Sequence, residues 1–209
     1  MATNHIVKQG EHLARIAAQY GFRDYTTIWG HPANAALKQK RKSPHVLHPG
    51  DTVIIPEKAV KTETRPTGAQ HVFRVKTKKL ALHIKLQDAT GKPITSEACD
   101  VAAESDQRKL TTNSDGLVKR RIPADAESGQ LQAGVFQAPI RIGHLDPVDE
   151  ISGQVGRLNN LGYRGGPLDG SDKDRFLSAV EEFQCDNGLK VDGICGPQTQ
   201  AKLKEVHGS

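Results

Sequence analysis

Nine histidines, 24 carboxylates and three cysteines are the side chains of this 209-residue chain with the reactivity to do chemistry. A zinc hydrolase needs three ligands and a base at close spacing. His45-x-x-His48, with His31 upstream, is the best local candidate, yet no HExxH or comparable pattern surrounds it, so it reads as loop surface. A glycosidase needs one carboxylic acid kept protonated by an apolar pocket and a second carboxylate across the scissile bond. None of the 24 carboxylates has such a setting in the sequence. Cys99 falls in a strand-like alternation with no catalytic motif around it, and no glycine-rich phosphate loop is present. The expectation is a chain without catalytic residues, metal ligands or cofactor. Cys185 and Cys195 are ten residues apart. They fit either a disulfide worth ~2–3 kcal/mol, implying an oxidising compartment, or two reduced thiols, and both readings stay open.

Composition narrows the partners. With 36% apolar and 25% charged residues the chain is foldable, and no stretch approaches the ~20 apolar residues of a membrane span. The first ten residues are polar, without a basic segment followed by an apolar one, so no Sec-type export is expected. The net charge of +5 divides as +3 over residues 1–57, +5 over 58–146 and −3 over 147–209. Basic clusters at residues 38–42 (KQKRK) and 74–79 (RVKTKK) read as solvated faces. They lack the aromatic interleaving and motifs of nucleic-acid binders, so no nucleic-acid partner and no membrane insertion are expected.

At the level of whole elements, the chain divides into pieces. Residues 57–70 are polar and contain Pro66 and Gly68, which reads as a linker. A weaker boundary lies near residues 143–149. The expected organisation is residues 1–57, a linker 58–70, a β-rich region 71–145 and a helical region 146–209, multi-domain α+β. In the first piece a short strand at residues 5–8 precedes a helical stripe of Leu13, Ile16, Ala17 and Tyr20, with Gly21 at its end. A second helical stretch holds Ile28, Trp29, Ala33, Ala36 and Leu37. A Pro49-Gly50-Asp51 turn then leads into the β-branched run 52–55, giving the order β-α-α-β.

Lys8-Gln9-Gly10-Glu11-His12-Leu13, Ile16-Ala17, Tyr20-Gly21, Asn34 and Leu47-His48-Pro49-Gly50-Asp51-Thr52-Val53-Ile54-Ile55-Pro56 resemble a LysM domain over about 52 residues. Two departures stand out. Glu11-His12 replaces the usual acidic-plus-hydroxyl pair, so a Ser or Thr helix cap is expected to be lost. The region 30–45 is also longer and more basic than in short members. The resemblance implies a shallow groove for N-acetylglucosamine-containing glycan between two loops, Gly10, Glu11, His12 and Leu13 on one side and Val46, Leu47, His48, Pro49 and Gly50 on the other. Backbone amides would grip the N-acetyl groups, and Leu13 and Leu47 would pack on the sugar.

In the last piece, Ile151, Val155, Leu158 and Leu161 form one helical stripe, and Phe176, Ala179, Val180 and Phe183 a second, capped by Ser171 or Asp172. A third helix opens at Gly196-Pro197 and carries Leu203 and Val206. The turns Pro167-Leu168-Asp169-Gly170 and Lys190-Val191-Asp192-Gly193 echo one another. Leu158-Asn159-Asn160-Leu161-Gly162-Tyr163, Ala179-Val180-Glu181-Glu182-Phe183-Gln184 and Asn187 through Thr199 resemble the three-helix peptidoglycan-binding domain found on wall hydrolases, over about 55 residues. That resemblance makes Tyr163, Asp169 and Asp192 the contact candidates, with turn formation the plainer role for both aspartates.

Between them, strands are expected at residues 80–86, 117–122 and 131–136, around turns at 89–93 and 113–116. The pattern loosely resembles a small antiparallel β-sandwich spacer, Ig-like or transthyretin-like. Together the resemblances imply a non-catalytic, bivalent peptidoglycan-binding protein. Similar arrangements occur among proteins of contractile injection machines (type VI secretion, phage-tail-like particles). These would carry the chain from the bacterial cytoplasm to the periplasm or wall, with a spike or effector as partner. The alternative is a structural adaptor of such a particle, in which the LysM fold binds protein.

Overall fold

The computed structural model describes residues 2–59, 62–72 and 80–209. The basic cluster at residues 74–79 lies outside the described residues. The architecture is α+β: a mixed N-terminal region, antiparallel sheets in the middle and a helical C-terminal region.

The N-terminal order is β1 (Thr3–Ile6), α1 (Leu13–Gln19), α2 (Thr26–Trp29), a 3-10 turn (Pro32–Asn34), α3 (Ala35–Arg41) and β2 (Thr52–Ile55). β1 and β2 pair antiparallel, Thr3 opposite Ile55 and Ile6 opposite Thr52. Leu13, Ile16 and Ala17 bury one face of α1 against Ile28, Leu37, Val53 and Ile55. The single second helix read from the sequence is broken into three pieces. Proline has no N–H to continue a helix from α2, so the chain restarts with Pro32 at the head of the 3-10 turn. The fully buried Asn34 staples this bend to the sheet. Its Nδ2 donates to Ile28 O at 2.9 Å and Ile54 O at 2.7 Å, and its Oδ1 accepts from Ile54 N at 2.8 Å.

Helix α1 does not lose its cap. His12 holds the N-cap in extended backbone, and its Nδ1 accepts from Arg15 N at 3.4 Å, so an imidazole does the work of a hydroxyl. The cluster at 38–42 is not wholly a solvated face either. Arg41, at the end of α3, is buried with Asp51: Nε to Oδ2 at 2.6 Å and Nη2 to Oδ1 at 3.0 Å, with the two side chains 2% and 4% exposed. Asp51 Oδ2 also accepts from His48 N at 3.0 Å, which closes the turn that feeds β2.

In the middle, β3 (Leu80–Lys85) pairs with β6 (Leu117–Ile122), and β5 (Asp106–Thr111), β4 (Ala98–Ala103), β7 (Ser128–Ala133) and β8 (Phe136–Arg141) form a four-stranded sheet in the order β5-β4-β7-β8. All pairings are antiparallel. Alternate residues Cys99, Val101, Leu131 and Ala133 pack with Val118, Leu86, Leu82 and Ile84 in one core. The strand expected at 131–136 is instead two strands. Gly134, at φ +55°, turns the chain so that Ala133 pairs with Phe136.

The C-terminal helices are α4 (Ile151–Asn160), α5 (Lys173–Asp186) and α6 (Pro197–His207). Leu158, Ala179, Val180, Phe183 and Leu203 form their core. Ile151 and Val206, assigned to the buried stripes by periodicity, are 53% and 42% exposed. Asp172 caps α5 through Oδ1 to Arg175 N at 3.1 Å, and Pro197 opens α6. The buried Arg157 of α4 donates to Asp146 O at 2.8 Å and Gly153 O at 2.7 Å, tying the helix to the segment that enters it.

The buried pair yields a test. Asp51→Ala strands the Arg41 charge and should cost about 3–5 kcal/mol. Trp29 is the chain's one tryptophan and packs on the N-terminal core. Its fluorescence during urea unfolding therefore reports the loss, and Arg41→Met combined with Asp51→Leu should recover most of it.

Candidate functional site

The structure brings the two N-terminal loops together. Leu13 N donates to Pro44 O at 3.0 Å, and Gly50 N to Val7 O at 2.9 Å, so loops 10–13 and 46–50 lie side by side at the start of α1. Their side chains are mostly not free. Glu11, His12, Leu13, Val46 and Leu47 are all buried, while His48 and Pro49 are half-buried and Gly50 is exposed. Glu11 accepts from Lys8 N at 2.9 Å and meets His5 Nε2 at 2.8 Å. Burial raises its carboxyl pKa, but these partners outweigh that and leave it below the ordinary value. Burial pushes the His12 imidazole down to about 4, and the neighbouring His45 and Arg15 charges act in the same direction.

Some of this loop face is covered by the chain itself. A β-carbon placed on Gly143 would sit 2.5 Å from Gly10 O and 2.9 Å from His12 Cδ2, and one on Gly10 would sit 2.8 Å from His144 Nε2. Beyond Gly143 the chain carries Asp149 Oδ2 to 3.8 Å from Arg41 Nη1 and Glu150 Oε1 to 4.0 Å from His48 Nε2. Arg15 of α1 pairs with Glu127. Next to these contacts lies an open cleft of about 590 Å³, whose walls include Glu104, Asp125, Glu127, Arg141 and His144. The cleft mixes both signs of charge. Its residues come from strand ends and connecting loops spread over residues 104–144 and share no local motif, so sequence spacing could not reveal it.

Among the C-terminal helices, Gln184 organises the loop between α5 and α6. It is 1% exposed. Its Nε2 donates to Asp192 Oδ1 (2.9 Å), Thr199 Oγ1 (3.0 Å) and Ile194 O (3.1 Å), and its Oε1 accepts from Asp192 N and Gly193 N, both at 3.0 Å. Asp192 Oδ1 also accepts from Ile194 N at 3.0 Å. The hydrogen bonds from Gln184 and from Ile194 N hold the Asp192 carboxyl below the usual carboxylate range. Asp169 serves the echoing turn, accepting from Ser171 N at 3.0 Å. Tyr163 stacks edge-on to Phe183 with centroids 5.5 Å apart and donates to Asp186 Oδ2 at 3.0 Å. Burial and the Asp186 carboxylate push its phenol up to about 12, so it stays a protonated donor. Tyr163, Asp169 and Asp192 thus have separate partners rather than one shared cluster.

Set beside known proteins, residues 156–203, from inside α4 to α6, match the sequence family described as "Putative peptidoglycan binding domain". The chain carries a C-terminal peptidoglycan-binding domain. It also belongs to one family with a protein of Kitasatospora aureofaciens named "Uncharacterized protein in bpoA1 3'region". The two are 51% identical over 81 residues, 38% of this chain and 69% of that protein. No solved structure matches the chain.

Within the peptidoglycan-binding domain, Tyr163 and both turn aspartates fall inside the matched span, as does Gln184, which the sequence places in the run 179–184 without revealing its role. The signal available is its place one residue after Phe183, where an amphipathic helix would carry another core residue; a buried amide there needs partners for every polar atom. The three thiols are free: Cys99 buried, Cys185 exposed and Cys195 half-buried. Burial pushes the Cys195 thiol up to about 11, which makes it unreactive. Among the described residues, no three His, Cys, Asp or Glu side chains converge as a metal site would require. No helix of the described residues is long and apolar enough to cross a membrane.

Gln184→Leu leaves the Asp192 and Gly193 amides without their acceptor and should cost roughly 2–4 kcal/mol of C-terminal stability, followed by amide exchange at residues 192–194. His12 titrates near 6.5 unfolded and near 4 folded, so between those values the unfolded form binds the extra proton. Stability of the N-terminal region should therefore fall as pH drops from 6.5 toward 4, by on the order of 3 kcal/mol. In urea titrations read by Trp29, His12→Asn should flatten that slope while keeping a capping oxygen.

Proposed function

We propose that this chain is a non-catalytic cell-wall protein that grips peptidoglycan at two places. The observation that carries the reading is the peptidoglycan-binding domain at residues 156–203. Its candidates for contact are the half-buried Tyr163 hydroxyl, which keeps acceptor lone pairs while donating to Asp186, and the exposed Asp169 turn, both suited to the amide donors of a stem peptide. The N-terminal loops 10–13 and 46–50, LysM-like in their residues, form the second grip, on N-acetylglucosamine-containing glycan. The middle sheets space the two. Two weak grips on one polymer gain avidity of about 10²–10⁴ when both reach it. In this reading the chain directs a partner, such as an effector or the spike of a contractile injection machine, to the wall.

A second reading has one observation in its favour. The N-terminal loop face already contacts polypeptide, through residues 143–150, so a particle adaptor using that face for protein is a coherent alternative.

Co-sedimentation with insoluble sacculi separates these readings. The wall reading expects saturable pelleting of the full chain that survives a rise from 0.1 M to 1 M salt, where the Debye length falls from about 10 Å to about 3 Å. It expects partial release by chitotetraose and no soluble muropeptides. Pelleting abolished by salt would sink the wall reading in favour of the adaptor, and released muropeptides would sink the non-catalytic claim.

A further inference from the structure

Among the described residues, His12 Nε2 and Arg41 Nη1 are buried polar atoms without a hydrogen-bond partner, and both lie under residues 143–149. His12 Nδ1 accepts from Arg15 N, so the ring proton sits on Nε2 and the orphan is a donor. Arg41 Nη1 is also a donor. Its guanidinium is otherwise spent on Asp51, and Asp149 Oδ2 stands 3.8 Å away, too far for a hydrogen bond. Buried donors left unmade carry their whole desolvation penalty, so the closed arrangement is poorly matched in polarity.

It is well matched in shape. Gly143 crosses Gly10 and His12 with no room for a side chain, at φ +82°, and Gly10 answers at φ +83° beneath His144. Among the described residues, no main-chain hydrogen bond joins 143–150 to the two loops. The segment is anchored on its other side instead. Asp146 O accepts from Arg157, Val148 O accepts from Gln154 Nε2 at 3.0 Å, and Gly153 packs directly on Pro147. It therefore belongs structurally to the C-terminal helices and merely rests on the N-terminal loops.

We infer that residues 143–150 are a releasable cover seated on the N-terminal loop face. Its departure hands two donors, His12 Nε2–H and Arg41 Nη1–H, to a ligand that brings carbonyl or hydroxyl acceptors. While the cover is down, apparent affinity is reduced by the fraction of open molecules, so loosening the cover tightens binding without a new contact. The ligand chemistry rests on the wall-binding reading of that face; the cover does not.

The test uses the full chain and two variants. Gly143→Val removes the close fit, and Asp149→Asn with Glu150→Gln removes the charges facing Arg41 and His48 while sparing the tight crossing. Acylation of His12 by diethyl pyrocarbonate, which attacks through a ring-nitrogen lone pair once the ring is open to solvent and its proton can exchange, is read by peptide mass spectrometry and reports exposure of the imidazole. Chitotetraose binding is read by calorimetry, and circular dichroism confirms folding. The expected result is slow His12 acylation in the parent and at least tenfold faster acylation in Gly143→Val, with a several-fold rise in the charge variant. Chitotetraose affinity should rise by a similar factor, and the sugar should protect His12. His12 acylated in the parent as fast as in urea-unfolded chain, or no faster in either folded variant, overturns the cover. Faster acylation with no chitotetraose binding by any variant upholds the cover and overturns the glycan reading. Should Gly143→Val fail to fold, the charge variant decides alone.

Discussion

The guanidinium of Arg41 stands where the end of α3, the turn before β2 and the segment leading to α4 meet. Its two hydrogen bonds to Asp51 fix the turn at residues 48–51, and that turn sets the register in which β2 meets β1. An ion pair buried to 2% and 4% exposure gives up hydration on both sides. Burial raises the Asp51 pKa, yet the Arg41 hydrogen bonds and charge outweigh it and hold the carboxylate below its usual range, while raising Arg41 in turn. The pair thus constrains rather than simply stabilises. The placement of loop 46–50 that lets Asp51 reach both Nε and Nη2 leaves the remaining Nη1 facing Asp149 in residues 143–150.

Small modules explain why such polar devices recur. Cores of a few apolar residues bury little surface, so each module leans on a buried polar group that reaches several backbone atoms at once. Asn34 does this between the 3-10 turn and β2, Gln184 between α5 and the loop before α6, and Arg157 between α4 and its entry segment. Each fixes a loop that hydrophobic contact alone would leave free to slide. Burial pulls Arg157 down to about 10, still far above neutrality, so the charge persists and its hydrogen bonds are charge-assisted.

Those same groups mark where sequence reasoning stops. Helix periodicity locates α1, α5 and α6, and turn chemistry locates the turns at Asn113, between β5 and β6, and at Asp169, between α4 and α5, because these depend on residues near in sequence. It misplaces Ile151 and Val206, since a stripe says which side of a helix is apolar but not whether a neighbour reaches its end. It joins β7 to β8, since Leu131 through Phe136 alternates well enough and only the positive φ of Gly134 reveals the turn. It discounts the cap of α1 because imidazole is a rare cap. The loop residues named for glycan lie in one place, yet the crossing of Gly143 over Gly10 and His12 depends on a segment some 130 residues away.

That contact would change the physics of the two-site grip proposed above. Modules on a flexible linker sample many separations, and their effective concentration falls off steeply with linker length. Residues 58–70 are expected from sequence to act as such a tether, but the N-terminal region also meets Glu127, Gly143, His144 and Asp149 directly. Docked modules hold their binding faces at a set separation and orientation. Such an arrangement favours a polymer whose repeat fits that separation and gains nothing on one that does not. A cover that lifts as the N-terminal face takes its ligand would also free that face from the docked geometry. In the proposed two-site reading, selectivity for a matching lattice and adaptability to an uneven one would be two states of one chain, with the balance set by how tightly residues 143–150 hold to the face around His12 and Arg41.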